Sequence, residues 1–548
     1  MTIPVQLAFL AALPLIAFVF LTQKPHVAAS ASIVFGCLLL PAARGFDLPL
    51  LPTIDQSALP VLMSFVMLCA VGWPLLARAK IGQGPEICIA LVIVACVVTN
   101  LTNGDPQVFG SRVLSAMQPT DTINDSLRFI IRWGLPFVIG RAVVRSAEDL
   151  REVLLICVLG GVMYLPLASM ELLTGPILHK MVYGAHPNPY TFSQQIKFGG
   201  FRPVVFMTHG LNFASFMLVA ASAGVILTKV RHRLFGFSAF PIALVLVLML
   251  IPARTVGVWV YALITLPLMA FARPKLQTFV AVAMAAAVLG YPMLRAAGGV
   301  PVEAMHEITV EYVGDKSAHS LFGRLRTEEE ILERTRERMA FGWGGYGRYQ
   351  IFDAFTGESL SILDGFWVIT IGEGGAVRLG LIFAMLLLPI VSAHRSLSRI
   401  QSEAARRMIG GLALMMAVRA VDLIPNSGVE GYLTFLCGSL SGAVRGELLN
   451  RNRSLERQPA AEDIPEQGAK DAREPGGLEP EPALSSAMVT GTARTRKRET
   501  QVRPQPVAQP AATRGGPTSL GALAAQGPAA GERREQTRRR PGDDEEPS

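Results

Sequence analysis

FGWGGYGRYQIFDAFTGESLSILDGFWVITIGEGGAVRLG, residues 341–380, decides how this chain is read. A Gly- and aromatic-rich loop carrying Arg348 runs without a break into an apolar span that still holds Glu373 and Arg378. Charge at membrane depth is costly and marks a lined cavity or a site. The stretch therefore reads as a loop and span that close a site at a membrane surface, over a bundle of helices that occupies most of the chain.

The totals agree with that reading. Of 548 residues 51% are hydrophobic and 17% charged, with a mean hydropathy of +0.40. That is too apolar for a water-soluble enzyme of ordinary composition. The fold class is all-α, a polytopic transmembrane helix bundle. The formal net charge of +8 does not point to nucleic acid, because the basic residues cluster in short loops between apolar runs, where they act as topology signals. Cys37, Cys69, Cys88, Cys96, Cys157 and Cys437 all lie in apolar stretches without a C-x-x-C pair, and read as buried small hydrophobes. The N-terminal apolar run lacks a basic flank and reads as an uncleaved first span.

A helix crossing the hydrocarbon core needs about 20 mostly apolar residues. On that rule spans fall near 5–22, 26–43, 58–77, 85–99, 126–141, 153–170, 207–228, 237–252, 256–272, 276–294, 365–392, 408–424 and 431–444. Basic residues alternate between loops: Arg78 and Lys80; Arg141, Arg145 and Arg151; Lys229, Arg231 and Arg233; Arg273 and Lys275; and Arg395, Arg399, Arg406 and Arg407. These loops are assigned to the cytoplasm. Loops 100–124, 171–206 and 295–364 then lie outside, and they carry the Pro, Gly, aromatic and acid–base punctuation. Residues 1–444 form the transmembrane domain, with 295–364 as its large extracytoplasmic loop. From 445 to 548 the composition turns to Pro, Gly, Ala, Gln, Glu and Arg, as expected of a disordered cytoplasmic tail. Its basic clusters, Arg496 to Arg498 and Arg538 to Arg540, suit contact with anionic membrane lipid.

Candidate site residues lie on the outer side. Arg202 follows Gly199 and Gly200 and precedes Pro203, so its guanidinium sits on a constrained segment, suited to gripping a phosphate or carboxylate through two parallel hydrogen bonds. The other reading is an interfacial arginine paired to a carboxylate or lipid headgroup. Thr208, His209 and Asn212 enter the next span; His209 is a candidate site group or a packed histidine. Arg254 occupies a short turn between Pro252 and Gly257, as a site residue or a snorkelling anchor. Thr327 with Glu330 forms a capping box, so a helix is expected to start there, with Glu330–Arg334 and Glu333–Arg336 pairs on a solvated face. Arg324 and Arg326 precede that cap and are anion-binding candidates on loop backbone. Trp343, Tyr346 and Tyr349, if exposed, offer flat faces for sugar rings. Asp364 ends the loop, as a general base toward a hydroxyl or as an N-cap of the following span. Arg419 and Asp422 share a helix face and neutralise each other. Nucleotide-loop, zincin and metal-ligand spacings are absent, so no cofactor or metal is expected.

At these residues the chain resembles the bacterial O-antigen ligase and O-antigen polymerase family of membrane glycosyltransferases. The likeness covers about residues 202–442: GGFRPVVFMTHGLNFASF, IPARTVGVW, FGWGGYG followed by GEGG, and DLIPNSG, in that order. The resemblance implies an undecaprenyl-diphosphate-linked glycan as donor at the periplasmic face of the inner membrane, and a glycan or lipid acceptor. It also implies that Arg202, Arg254 and one of Arg324 or Arg326 hold the diphosphate without a metal. The family ligases carry a His-Asn pair where this chain has Asp364 and Gly365, so the base is left among Asp364, His209, His306 and His319. A reading from another class is a transporter or flippase for an anionic glycolipid or polysaccharide, its passage lined by the same arginines. Broken helices near the midplane and paired repeats would mark that class.

Overall fold

The computed structural model describes residues 2–456 apart from 50, 80–81, 83, 188–193, 235, 302–306, 308–309, 312–314 and 362–363. The side chains of 78, 234, 315–321 and 454–456 are also outside the description. The chain divides into two units, Met1–Asp463 and Ile464–Ser548. The second, and with it most of the segment expected to be disordered, lies outside the described residues.

A helix occupies every apolar segment picked out above. In order they are α1 Ile3–Thr22, α2 Pro25–Leu39, α3 Ala58–Val71, α4 Trp73–Arg78, α5 Ile87–Leu101, α6 Pro119–Phe129, α7 Leu135–Val143, α8 Ala147–Thr174, α9 Leu178–Tyr183, α10 Gly210–Lys229, α11 Phe240–Met249, α12 Val256–Phe271, α13 Pro274–Ala296, α14 Asp315–Arg336, α15 Phe366–Ser396, α16 Glu403–Asp422 and α17 Gly431–Glu456. A single π turn, Ile130–Gly134, joins α6 to α7. The described strands are short antiparallel pairs, among them Ile196–Lys197 with Gly200–Phe201. Among the described residues five helices are long and apolar enough to cross a membrane: α1, α8, α10, α13 and the one beginning at Phe366.

The bundle has a centre and a rim. The most apolar window of α10 is 83% buried and that of α1 only 22%. α1 instead turns Leu7, Leu10, Leu15, Phe18 and Leu21 outward, an apolar face larger than water-soluble monomers present. α17 packs on α7 through Gly438, Gly442 and Gly446, where an added Cβ would meet backbone oxygens of Phe137, Val144 and Arg145 at 2.0, 2.3 and 1.8 Å. Small residues every fourth position let two helices approach to backbone contact. The tail boundary expected at 445 is corrected by the same helix. α17 continues to Glu456 because Arg445 Nη1 donates to Ala79 O and Glu447 accepts from Ala147 N at 3.0 Å.

α15 is broken. Gly375 has φ 70° and ψ −176° inside it, a conformation that frees amides and carbonyls of neighbouring turns. The loop after α14 takes them up: Trp343 N donates to Gly372 O at 2.9 Å and Gly344 N to Glu373 O at 2.8 Å. In the reverse sense Ala376 N donates to Met339 O at 2.8 Å and Val377 N to Ala340 O at 3.2 Å. α5 completes the joint through Thr99 Oγ1 to Phe341 O, 2.7 Å, and Asn103 Nδ2 to Gly342 O, 3.0 Å. The two backbones touch so closely that a Cβ on Gly375 would lie 2.3 Å from Ala340 O.

The helix expected to start at Thr327 starts at Asp315 instead, so Thr327 is interior and Arg324 and Arg326 are helical. Leu325, Glu328, Leu332 and Thr335 are buried and form one helical stripe. The stripe docks on α13, where Arg295 donates to Leu325 O at 2.7 Å, lies 3.2 Å from Glu329 and 3.6 Å from Glu328, and Tyr291 bonds Glu328 at 3.0 Å. Tertiary packing overrides the local cap, and the face expected to be solvated is partly buried.

Replacing Gly375 with Ala is expected to destabilise the protein by about 2 kcal/mol or more, from left-handed strain plus the clash. Gly380, in the same helix with nothing within 4 Å of a built Cβ, is the matched position: Gly380→Ala is expected to be neutral or stabilising by about 0.5–1 kcal/mol. Denaturant unfolding of both variants in detergent checks the pair.

Candidate functional site

A cavity of about 1110 Å³ opens at the end of the bundle where α10, α14, α16 and the segment leading into α15 meet; Lys197, Arg202, His209, Arg324, Arg326, Asp364, Arg419 and Asp422 are among its lining. Its size exceeds the usual small-molecule pocket of about 300–1,000 Å³. Five cations face three carboxylates in the lining, since Glu330 joins Asp364 and Asp422. Three cations are already matched: Arg324 Nε lies 3.0 Å from Asp364, Arg326 Nε lies 3.2 Å from Glu330, and Arg419 pairs with Asp422.

Arg202 is different. It is 5% exposed and makes no ion pair with a described residue; among the described residues its Nε has no partner, and its guanidinium's hydrogen bond is a 3.3 Å contact from Nη2 to Arg254 O. Burial lowers its pKa from the usual arginine value. Its stem is seated by a glycine: a Cβ on Gly210 would lie 2.0 Å from Arg202 Cδ. The N-terminus of α10, at the same position, points its positive dipole end at the cavity.

His209 is the N-cap of α10. Its Nδ1 accepts from Leu211 N at 3.1 Å, which leaves Nε2 protonated, 3.2 Å from Gln194 Oε1. Burial, with Arg202 and Lys197 nearby, pushes its pKa down to about 4 against the opposing pull of Asp364. His209 is therefore a neutral donor, and the nitrogen a base would use is occupied. Asp364 does not cap α15. The N-cap is Gly365 without a side-chain bond, and the Asp364 carboxylate turns to Arg324, two-fifths exposed. Phe366 N is taken by Leu423 O and Asn426 O, which ties the start of α15 to the end of α16. Among the four base candidates, His306 and the side chain of His319 lie outside the described residues.

Other expected site residues sit elsewhere. Arg254 does not line the cavity. Its Nη1 donates to Lys197 O and Phe198 O, both at 2.7 Å, and so braces the hairpin that carries Lys197. Trp343 is not an exposed platform. It is 6% exposed, held between the guanidinium carbons of Arg334 and Arg338 at 4.4 and 4.3 Å, with its indole donating to Arg334 O at 3.1 Å. Tyr346 is exposed, but its hydroxyl donates to Asp121 at 2.6 Å, away from the cavity. Tyr349 is buried. Arg348 is a knot for the loop, donating to Trp343 O, Ser115 O and Asp105 O at 3.0, 2.7 and 2.8 Å. Trp343 and Tyr349 share a physical reason: the loop must give its backbone to the break in α15, and these two rings are packed behind that contact.

Sequence reasoning missed Lys197, Gln194, Asn426 and Ser427 as lining; the polar run at 194–197 was the available signal. Arg419 and Asp422 pair as expected, with Asn426 Nδ2 and Ser215 Oγ also donating to Asp422 at 2.8 and 3.2 Å. Among the described residues no cluster of three His, Cys, Asp or Glu side chains is set to hold a metal. Chemically the cavity can bind an anion at Arg202 and Lys197, donate from His209, and accept a proton at Asp364 once Arg324 turns away.

Comparison with models of known protein families gives no match, and comparison with curated protein sequences gives none either.

A histidine whose folded pKa lies below its unfolded value of about 6.5 stabilises the fold above that value and loses this as pH falls toward 4. His209→Asn keeps a capping side chain and removes the titration. Its thermal midpoint is expected to fall less than the wild type's between pH 6.5 and pH 4, measured by scanning fluorimetry.

Proposed function

We propose that the chain is an integral-membrane glycan polymerase or ligase. It would transfer a glycan from an undecaprenyl-diphosphate carrier to an acceptor hydroxyl at the periplasmic face of a bacterial inner membrane. The observation that carries this reading is Arg202, a buried guanidinium with no counter-ion among the described residues, lining a cavity large enough for a diphosphate and a sugar. A diphosphate supplies the missing charge through paired charge-assisted hydrogen bonds. The basic loops elsewhere orient the cavity end outward by the positive-inside bias, and the order of short motifs supports the family reading.

In the proposed reaction Arg202 and Lys197 hold the diphosphate, and the N-terminus of α10 adds its dipole. Arg324 leaves Asp364 for a phosphate oxygen, and the freed carboxylate takes the proton of the acceptor hydroxyl. The hydroxyl oxygen bonds to the anomeric carbon as the carbon–phosphate-oxygen bond breaks, and the lipid diphosphate departs with the electron pair. His209, as a neutral donor, steadies an oxygen near Gln194. A broken helix is also a transporter feature, but the break in α15 is filled by loop backbone and not by an open passage, which favours the enzyme over a flippase.

The test uses purified protein in lipid nanodiscs with undecaprenyl diphosphate, and a deletion strain whose glycans are profiled. Arg202→Ala is expected to weaken binding about tenfold or more. Gly210→Ala, which displaces the Arg202 stem, is expected to weaken it in the same direction. In cells, loss of long chains with single units still on the acceptor indicates a polymerase, and intact long chains left on the carrier indicate a ligase. A normal profile with Arg202→Ala would overturn the site assignment.

A further inference from the structure

A second, smaller cavity of about 210 Å³ lies against the first half of α15. Its lining includes Arg128, Trp133, Phe366, Thr370, Glu373 and Ser427. Ser427 also lines the large cavity, and Asp364 and Phe366, two residues apart, face one cavity each. The two spaces therefore adjoin at the start of α15, where the proposed proton acceptor stands.

The chemistry of the second cavity differs from that of the first. Two of its charges are settled, because Arg378 pairs with Asp125 and Arg132 with Asp55. Glu373 is not settled: it makes no ion pair with a described residue and lines the cavity beside Thr370. Its backbone is pinned by the break in α15, since Glu373 O accepts from Gly344 N at 2.8 Å. Arg128 likewise makes no ion pair with a described residue, so the charges of the two offset one another; the Glu373 carboxyl accepts from hydroxyls, and Arg128 and Thr370 donate to them. Trp133 and Phe366, with ring centroids 5.1 Å apart, supply flat apolar faces to the same space. A carboxyl group, a guanidinium, a hydroxyl and aromatic faces around a ring-sized volume fit a neutral polyol ring.

We propose that this cavity is the acceptor subsite, which seats the terminal sugar ring of the acceptor so that its reacting hydroxyl reaches Asp364 in the neighbouring cavity. Glu373 and Arg128 hold the non-reacting hydroxyls. The inference rests on the glycosyltransfer reading above.

The experiment compares Glu373→Gln and Arg128→Ala with wild type, as full chains. Binding of undecaprenyl diphosphate and thermal midpoint are measured in nanodiscs, and glycan product in the complemented deletion strain. Each variant is expected to lower product at least tenfold, to leave undecaprenyl diphosphate affinity within twofold and the midpoint unchanged, and to accumulate lipid-linked glycan. Normal product from both variants overturns the subsite. A parallel loss of undecaprenyl diphosphate affinity also overturns it, by making the cavity part of the carrier site. If Glu373→Gln does not fold, Arg128→Ala, at an exposed position, decides alone. If wild type binds no undecaprenyl diphosphate and its deletion leaves glycans unchanged, the glycosyltransfer reading fails and the subsite with it; normal wild-type behaviour with unaffected variants sinks the subsite only.

Discussion

Four backbone hydrogen bonds pass between residues 339–344 and the broken helix α15, and each replaces a bond the helix lost at Gly375. In an apolar surrounding an unmet amide or carbonyl costs several kcal/mol, so the break can exist only where another backbone fills it. The loop that fills it is therefore as fixed as a strand in a sheet. Its glycines allow the approach, its Trp343 is locked between two arginines, and its Arg348 donates to a carbonyl from each guanidinium nitrogen.

From that joint the site follows. The first half of α15 is held at its start by Leu423 and Asn426 carbonyls and at its end by the loop. Asp364 is thereby fixed against the end of α16 and within reach of Arg324 on α14. The same half-helix carries Glu373 and Thr370 into the small cavity. The start of one short rigid element thus lies where a cation-rich cavity meets a small one lined by Glu373. The break is a positioning device for that junction.

The helical bundle was legible because apolar runs mark buried or membrane-facing helices, and every expected segment carries a helix, five of them, among the described residues, long enough to cross a membrane. Arg202 was legible as well, since a guanidinium between glycines and a proline announces a constrained cation. What was not legible depends on partners distant in sequence. The capping box at Thr327 is a real local signal, yet burial of Leu325 and Leu332 and the Arg295–Glu328 contact extend the helix past it. Arg254 looks like a site residue until its acceptors, the carbonyls of Lys197 and Phe198, are known. Trp343 looks like a platform because nothing in its local sequence says that GEGG breaks a helix and draws the loop inward. The positive φ at Gly375 is the single missing fact behind that error.

The most direct measurement is a structure of the full chain in lipid nanodiscs with saturating undecaprenyl diphosphate. The account predicts diphosphate density in the large cavity within hydrogen-bonding distance of the Arg202 guanidinium, with Arg324 turned from Asp364 toward it. Diphosphate density elsewhere, with Arg202 still unpaired and Arg324 still on Asp364, would contradict it.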